Sequence, residues 1–382
     1  MTLSDNFTIM SNGEESDQVK ETSSWYISDE TMDYLYISLT ITVHGLVSVA
    51  GVVTNCVNVI IFFKLGLKDS MSIGLFALSL TDFAVTLMQL ASCCSYLVKI
   101  VYPESPVDPW LFGAYVFSWS RYVAYLISCW ITTVISLERC FCVVSPFTVR
   151  QKFTKARCLM IILGISIFHV CVHLPIFIFA NIQWVSISPG TTVARNGTMS
   201  EKYVLTVLYS DSAAEWEILS DMIAGISLSV LSQVILLICT VWMIYSLKAS
   251  SKIRQHMDPV RYQNKPRSTL QENKGGASSE DAGALLSAKE RRMAKVVLFM
   301  AIILSACNVP RFLAIALHHI LPGMKMGVNK NLDTVFWEVS YTFCTICCTT
   351  NFLVYFKLNS KYRSEFLHMF QWSNKETDKG LI

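Results

Sequence analysis

Residues 35–63, LYISLTITVHGLVSVAGVVTNCVNVIIFF, run without a single charged side chain. About 20 apolar residues in a helix cross the hydrocarbon core of a bilayer. Six more apolar stretches follow, at roughly 71–98, 113–140, 157–180, 218–247, 290–320 and 333–356. Inside lipid every backbone N–H and C=O must be bonded within the protein, which leaves helices or a closed barrel. The period-2 alternation of barrel strands is absent. The chain therefore reads as an all-α membrane protein. A seven-transmembrane helix bundle occupies 35–356, after a polar, acidic tail (1–34) and before a C-terminal region (357–382). Only 15% of the 382 residues are charged, against about 25% in soluble proteins. That argues against a disordered chain, a nucleic-acid binder or a cytosolic enzyme.

The formal charge of +3 hides an asymmetry. With the N-terminus outside, 23 Lys and Arg fall on the inner side and six on the outer, while 16 of the acidic residues lie outside. An excess of Lys and Arg marks the cytoplasmic side. The expectation is a multi-pass plasma-membrane protein with its N-terminus outside and its C-terminus in the cytoplasm. Two sequons, at Asn6 and Asn196, fall on the outer side in that orientation and are candidate glycosylation sites. The loop at about 248–289 is basic, then Gly/Ser-rich, and reads as a flexible linker, with a phosphorylation site at Ser268 or Thr269 as the alternative. None of the 13 cysteines lies in an outer loop or in the N-terminal tail, so no disulfide is expected. Cys344, Cys347 and Cys348 read as small packing residues. His169 and His173 read as a buried, hydrogen-bonded pair.

With the charged span ends counted as part of the adjoining loops, four charges remain within the spans: Asp82, Arg121, Arg311 and Glu338. Ionisable groups in lipid are costly, and by default they are functional or paired. The third span ends in Glu138-Arg139-Cys140, and the second carries Leu78-Ser79-Leu80-Thr81-Asp82. The first contains Asn55, the sixth Cys307-Asn308-Val309-Pro310, and the seventh Asn351-Phe352-Leu353-Val354-Tyr355. With seven spans and an outside N-terminus, this pattern resembles the rhodopsin-like (class A) G protein-coupled receptors over about residues 35–370.

The resemblance implies roles. Glu138-Arg139-Cys140 matches the family's Asp/Glu-Arg-Tyr motif. Pro146 and Phe147 match the inner loop that meets the G protein. Tyr245 and Tyr355 match tyrosines that close around the arginine in active receptors. Glu290, twenty residues before Pro310, matches a position that can pair with Arg139 and hold the receptor inactive; a surface pair with Arg291 or Lys289 is the alternative. Tyr362-Arg363 resembles the start of a short amphipathic eighth helix. Asp82, Ser128 and Asn351, with Asn55, match a central polar cluster that holds either a sodium ion or a hydrated network. No other cofactor is implied. The implied partners are an extracellular peptide or small molecule, a heterotrimeric G protein and the lipid bilayer, with no nucleic acid.

Several family features are missing. Phe352 stands where the seventh-span motif has proline, and Asn308 replaces the usual tryptophan. The fourth span lacks its tryptophan, and the fifth lacks a proline near Leu237. Both partners of the family's outer disulfide are absent, so the second outer loop must be held noncovalently or be mobile. Thr345 occupies the position of the retinal lysine, which argues against a light sensor.

Arg121 lies eighteen residues before Arg139. That is five helical turns, so the two share a face about 27 Å apart. The resemblance places Arg121 at the outer ligand cavity, where amine receptors carry an aspartate, and so favours an anionic ligand group. Arg311 could join it, or could pair internally with Glu338. Tyr122, Tyr125, Gln89, His318 and Trp337 are candidate pocket walls. The run from Glu138 to Pro146 and Phe153-Thr154-Lys155-Ala156-Arg157 look like molluscan peptide and chemosensory-type receptors. The expected activity is that of a cell-surface receptor, not an enzyme; a polytopic transporter or channel is the alternative.

Overall fold

Each of the seven apolar stretches is a helix in the computed structural model, which describes residues 27–144, 153–187, 202–263, 288–321, 323–324 and 327–379. The helices are α1 (Asp29–Leu65), α2 (Ser70–Val101), α3 (Pro109–Val143), α4 (Lys155–Phe179), α5 (Asp211–Ala249), α6 (Glu290–Ile320) and α7 (Lys330–Leu358). Each is long and apolar enough to cross a bilayer. A further helix, α8 (Ser360–Lys379), follows α7 after a break at Asn359. Two strands, β1 (Ala180–Ile187) and β2 (Lys202–Tyr209), pair antiparallel between α4 and α5. The bundle thus has a hairpin end and, opposite, an end carrying Glu138-Arg139, called the motif end below.

Local chemistry sets the helix starts. Asp69 caps α2 by accepting from Ser72 N at 2.7 Å. Asp108 caps α3 by accepting from Trp110 N at 3.1 Å and Leu111 N at 3.2 Å, with Pro109 in the first turn. These groups satisfy orphan donors of the first turn. Ser28 caps α1 through Thr31 N, ahead of acidic Asp29 and Glu30, so α1 begins six residues earlier than hydropathy suggests. At its other end the helix of α5 continues to Gln263. The first part of the expected linker is therefore helical, because an established helix adds residues cheaply. Residues 264–287, with Ser268 and Thr269, lie outside the described residues, as do Asn6, Pro146, Phe147 and Asn196.

Helix α3 is central: 61% of its apolar window is buried, against 22% for α4 at the periphery. Ile131 and Ile135 of α3 pack with Leu75 and Leu78 of α2, Met243 of α5, Val297 of α6 and Tyr355 of α7. Exposed Phe63, Trp242 and Ile178 lie on outer faces, as expected where lipid is the solvent. Gly51 marks a close approach of three helices. A methyl group there would press on the Thr86 side chain and sit 2.7 Å from Thr349 Oγ1. Gly51→Ala is therefore expected to destabilise the bundle by about 1–3 kcal/mol. Gly45→Ala, where nothing lies within 4 Å, is expected to cost nothing. Thermal unfolding of the purified variants checks this, and equal losses would remove the close approach as the cause.

The hairpin is held without a covalent bond. All thirteen cysteines are free thiols. Instead, β2 bonds to the α2–α3 connection: Asp108 N donates to Leu205 O at 3.1 Å, and Leu205 N to Pro106 O at 2.8 Å. Val207 packs into a buried cluster with Leu111 and Tyr115 of α3, and Tyr115 donates to Phe177 O at 2.7 Å. Of the two expectations for this loop, noncovalent anchoring describes its strands.

Candidate functional site

Three π-helical stretches interrupt the hairpin-end halves of α1, α3 and α5, at Ser38–His44, Ala114–Ser118 and Asp221–Ser227. Such stretches are frequent at functional sites, because the wider turn re-aims side chains and frees carbonyls. Those of α1 and α5 bring His44, Asp221 and the Gly225 carbonyl to a cluster of polar side chains inside the bundle, called the chamber below.

Both arginines lie in this chamber, 7% and 3% exposed for Arg121 and Arg311 respectively. Arg121 donates to Gln89 Oε1 and stacks its guanidinium 4.0 Å from the Tyr341 ring centroid. Gln89 Nε2 approaches His44 Nδ1 at 3.3 Å, and His44 Nε2 lies 2.6 Å from Thr342 Oγ1. The Thr342 hydroxyl donates to Glu338 O, so His44 Nε2 carries the hydrogen and Nδ1 accepts from Gln89. The Glu338 carboxylate lies 3.4 Å from the same Nδ1. Arg311 turns the other way. It donates to Gly225 O at 2.9 Å, Tyr122 Oη at 3.1 Å and Ser229 Oγ at 3.4 Å. Tyr122 in turn donates to Asp221 at 2.6 Å. The alternative of an Arg311–Glu338 pair is thus replaced: Arg311 faces α5, and Glu338 faces His44. Among the described residues neither arginine is in an ion pair.

Pro310 cannot donate to the Ala306 carbonyl, which weakens the helix where Asn308 and Arg311 project. Asn308 accepts from Tyr125 at 2.7 Å and donates to Gln233 at 3.1 Å. This ties α6 to α3 and α5. His318 and Trp337 sit nearer the hairpin end; His318 bonds Asp333 at 3.0 Å, and its ring lies 6.3 Å from Trp337. His169 and His173 are buried, and the His173 ring donates to the His169 carbonyl while the His169 ring donates to the Ile165 carbonyl, so the pair is joined ring to backbone and not ring to ring.

At mid-bundle, Asp82 accepts from Ser128 at 2.6 Å on one carboxylate oxygen and from Asn351 at 2.7 Å on the other. Asn55 donates to Cys348 O at 3.0 Å and accepts from Asn58. Asn58 also accepts from Tyr362 of α8 at 2.5 Å. Burial pushes the Tyr362 phenol pKa up, which keeps it a donor.

At the motif end, Glu138 is buried and its Oε1 accepts from both Arg139, at 2.5 Å, and Ser70, at 2.6 Å. Cys140 is buried beside them in the α3 core. Tyr355 is buried against Phe62 and Tyr362, whereas Tyr245 is 72% exposed. Glu290 lies exposed at the start of α6.

The arrangement agrees with an independent comparison. The family model described as 7 transmembrane receptor (rhodopsin family) matches residues 55–355. The chain belongs to the rhodopsin family of seven-transmembrane receptors. It is therefore a multi-pass membrane receptor and not an enzyme. The fold of the receptor also matches the crystal structure of squid rhodopsin, with a TM-score of 0.57 at 17% identity, over 89% of this chain and 87% of that one. No curated protein matches it.

Several residues of the receptor's chamber carry no sequence signal of their own. His44 is a lone histidine in an apolar run. Tyr341 and Gln233 read as ordinary helix residues, and Asp221 as a helix-end acid. The departure at Phe352 has a structural use: its ring packs on Phe356, Tyr362 and Phe366, joining α7 to α8.

Proposed function

We propose that the hairpin end faces outward, that the two-arginine chamber binds an extracellular ligand through an anionic group, and that binding activates a heterotrimeric G protein at the motif end. The observation that carries this reading is two buried guanidiniums that meet their nearest carboxylates through neutral side chains. Arg311 reaches Asp221 through Tyr122, and Arg311 Nε has no partner. Arg121 bonds a neutral glutamine, with Glu338 within electrostatic reach. A ligand carboxylate that takes these donors competes with side chains, not with an established ion pair. Because Asn308 and Arg311 flank the α6 proline, a ligand drawing on Arg311 also acts on the helix that opens the motif end. Such action is a shift between closed and open populations. A peptide or a chemosensory compound, as in molluscan-type receptors, fits this chemistry, and the acidic outer side favours a basic peptide.

The test is expression with cAMP and calcium reporters against peptides and small anions. The expected result is a ligand response, or basal activity, that Arg139→Ala removes. A ligand-driven current without G protein would instead support a transporter or channel.

Asp82, Ser128 and Asn351 also supply oxygens suited to a hard cation. Asp82 accepts from Ser128 and Asn351 and also meets the Cys348 thiol, and a carboxylate offers about four acceptor sites, which leaves room for an ion. Cys347 and Cys348 put sulfur where further oxygens would strengthen it, so the proposal is a weak sodium site. Sodium in place of N-methylglucamine is expected to raise the thermal unfolding midpoint, and Asp82→Asn to abolish the difference. No difference in the unmodified receptor would leave a hydrated polar network.

A further inference from the structure

A separate cavity opens at the hairpin end, among the starts of α1, α3 and α7 and the end of α2, and encloses about 390 Å³. That is within the range of small-ligand sites. Three rings line it, Tyr36, Tyr96 and Trp110. Tyr36 meets Tyr96 edge-on at 5.0 Å and Trp110 at 6.4 Å, and Trp110 Nε1 donates to the Tyr36 hydroxyl at 3.2 Å. The rings therefore hold one another in place. Such faces attract a desolvated cation through the ring quadrupole.

The charges point the same way. Asp29, Asp33 and Asp333 line the cavity, with Lys99 and Lys330. Lys99 is already engaged, 3.0 Å from Asp108. Asp29 accepts from Asn331 at 2.7 Å, and Asp333 pairs with His318. Asp33 makes no hydrogen bond or ion pair among the described residues. With Asp108 counted, four carboxylates oppose two ammonium groups. The cavity wall already holds one ammonium in the expected manner. Lys99 Nζ lies 5.6 Å from the Trp110 ring centroid while bonded to a carboxylate.

We propose that this vestibule is a second ligand site, distinct from the two-arginine chamber, that takes an alkylammonium group against Asp33 and the Tyr36–Tyr96–Trp110 rings. The group belongs either to a small amine or to a basic peptide. Asp333, Trp337 and Tyr341 lie at i, i+4 and i+8 on one face of α7 and descend about 12 Å from the vestibule to Arg121. About four extended residues span that distance. The two-anchored peptide rests on the anion reading of Arg121; the ammonium site does not.

The test uses the full-length receptor in nanodiscs with radiolabelled choline, and with its uncharged isostere 3,3-dimethylbutan-1-ol as competitor. Saturable choline binding is expected, with the isostere competing at least about tenfold more weakly. Asp33→Asn, at an exposed position, and Trp110→Leu are each expected to lower choline affinity about tenfold, while Arg121→Ala leaves it unchanged. A tetrapeptide with an N-terminal lysine and a free carboxylate separates the two sources. A tenfold advantage over choline that disappears in Arg121→Ala identifies a peptide; equal affinity identifies a small amine. Choline and its isostere binding alike, or choline binding unaltered by Asp33→Asn, would overturn the site. An Arg121-dependent agonist response that survived such a result would leave the chamber reading standing.

Discussion

Replacing Arg121 with alanine is expected to lower agonist potency by roughly 30- to 1000-fold with surface expression near normal. Truncating one member of a buried, hydrogen-bonded charge pair typically costs about 2–4 kcal/mol, and each 1.4 kcal/mol is tenfold. The loss falls on the ligand because Arg121 makes few structural bonds. It gives one hydrogen bond to Gln89 and stacks on Tyr341. Gln89 keeps its second contact, to His44, after the change. Arg121→Lys is expected to fall between the two, because a lysine keeps the charge but loses the planar fork and the stacking. Arg311→Ala makes the useful contrast. Arg311 holds Gly225 O, Ser229 and Tyr122 together, and Tyr122 holds Asp221. Its removal leaves the Gly225 carbonyl and the Ser229 and Tyr122 hydroxyls without their shared donor inside the bundle, so reduced folding and surface expression are expected before any effect on potency. Concentration–response curves normalised to surface receptor check both. Unchanged potency in Arg121→Ala would remove this residue from the ligand site.

The difference between these arginines was not legible in the sequence. Spacing from Arg139 placed Arg121 on the inner face of α3, because five helical turns repeat a face. It said nothing of partners. Arg311 had two candidate fates, and what decides between them is the π stretch at Asp221–Ser227, which presents the Gly225 carbonyl to it. A π stretch depends on tertiary packing and leaves no pattern in apolar spacing. His44 was equally silent, since its partner Thr342 is 298 positions away. The seven spans were plain because lipid demands long unbroken apolarity. The Asp82 cluster was plain because a carboxylate in such a run needs polar neighbours. The hairpin carries no such signal: its strands are eight residues each, and β2 docks on a loop through two backbone bonds. Backbone bonding of that kind is blind to side-chain identity.

Glu138→Gln is expected to raise basal G-protein signalling about tenfold, whereas Arg139→Ala abolishes both basal and stimulated signalling. Glu138 is 2% exposed, and one of its oxygens accepts from both Arg139 and Ser70. The amide keeps the shape and loses the charge. A hydrogen bond to an ionised group contributes about 1.5–3 kcal/mol net. Losing the lower part of that range shifts a two-state equilibrium about tenfold, provided the bond exists only in the closed state. The exposure of Tyr245 and the burial of Tyr355 against Phe62 suit such a closed state, in which neither tyrosine holds the arginine. Ser70→Ala removes only the neutral donor and is expected to raise basal output about two- to fivefold, from a loss near 0.5–1 kcal/mol. The graded order Glu138→Gln above Ser70→Ala above the unmodified receptor is the signature of a restraint centred on the Glu138 carboxylate. Basal output unchanged in Glu138→Gln, at equal surface expression, would place the restraint elsewhere, with Glu290 the next residue to replace.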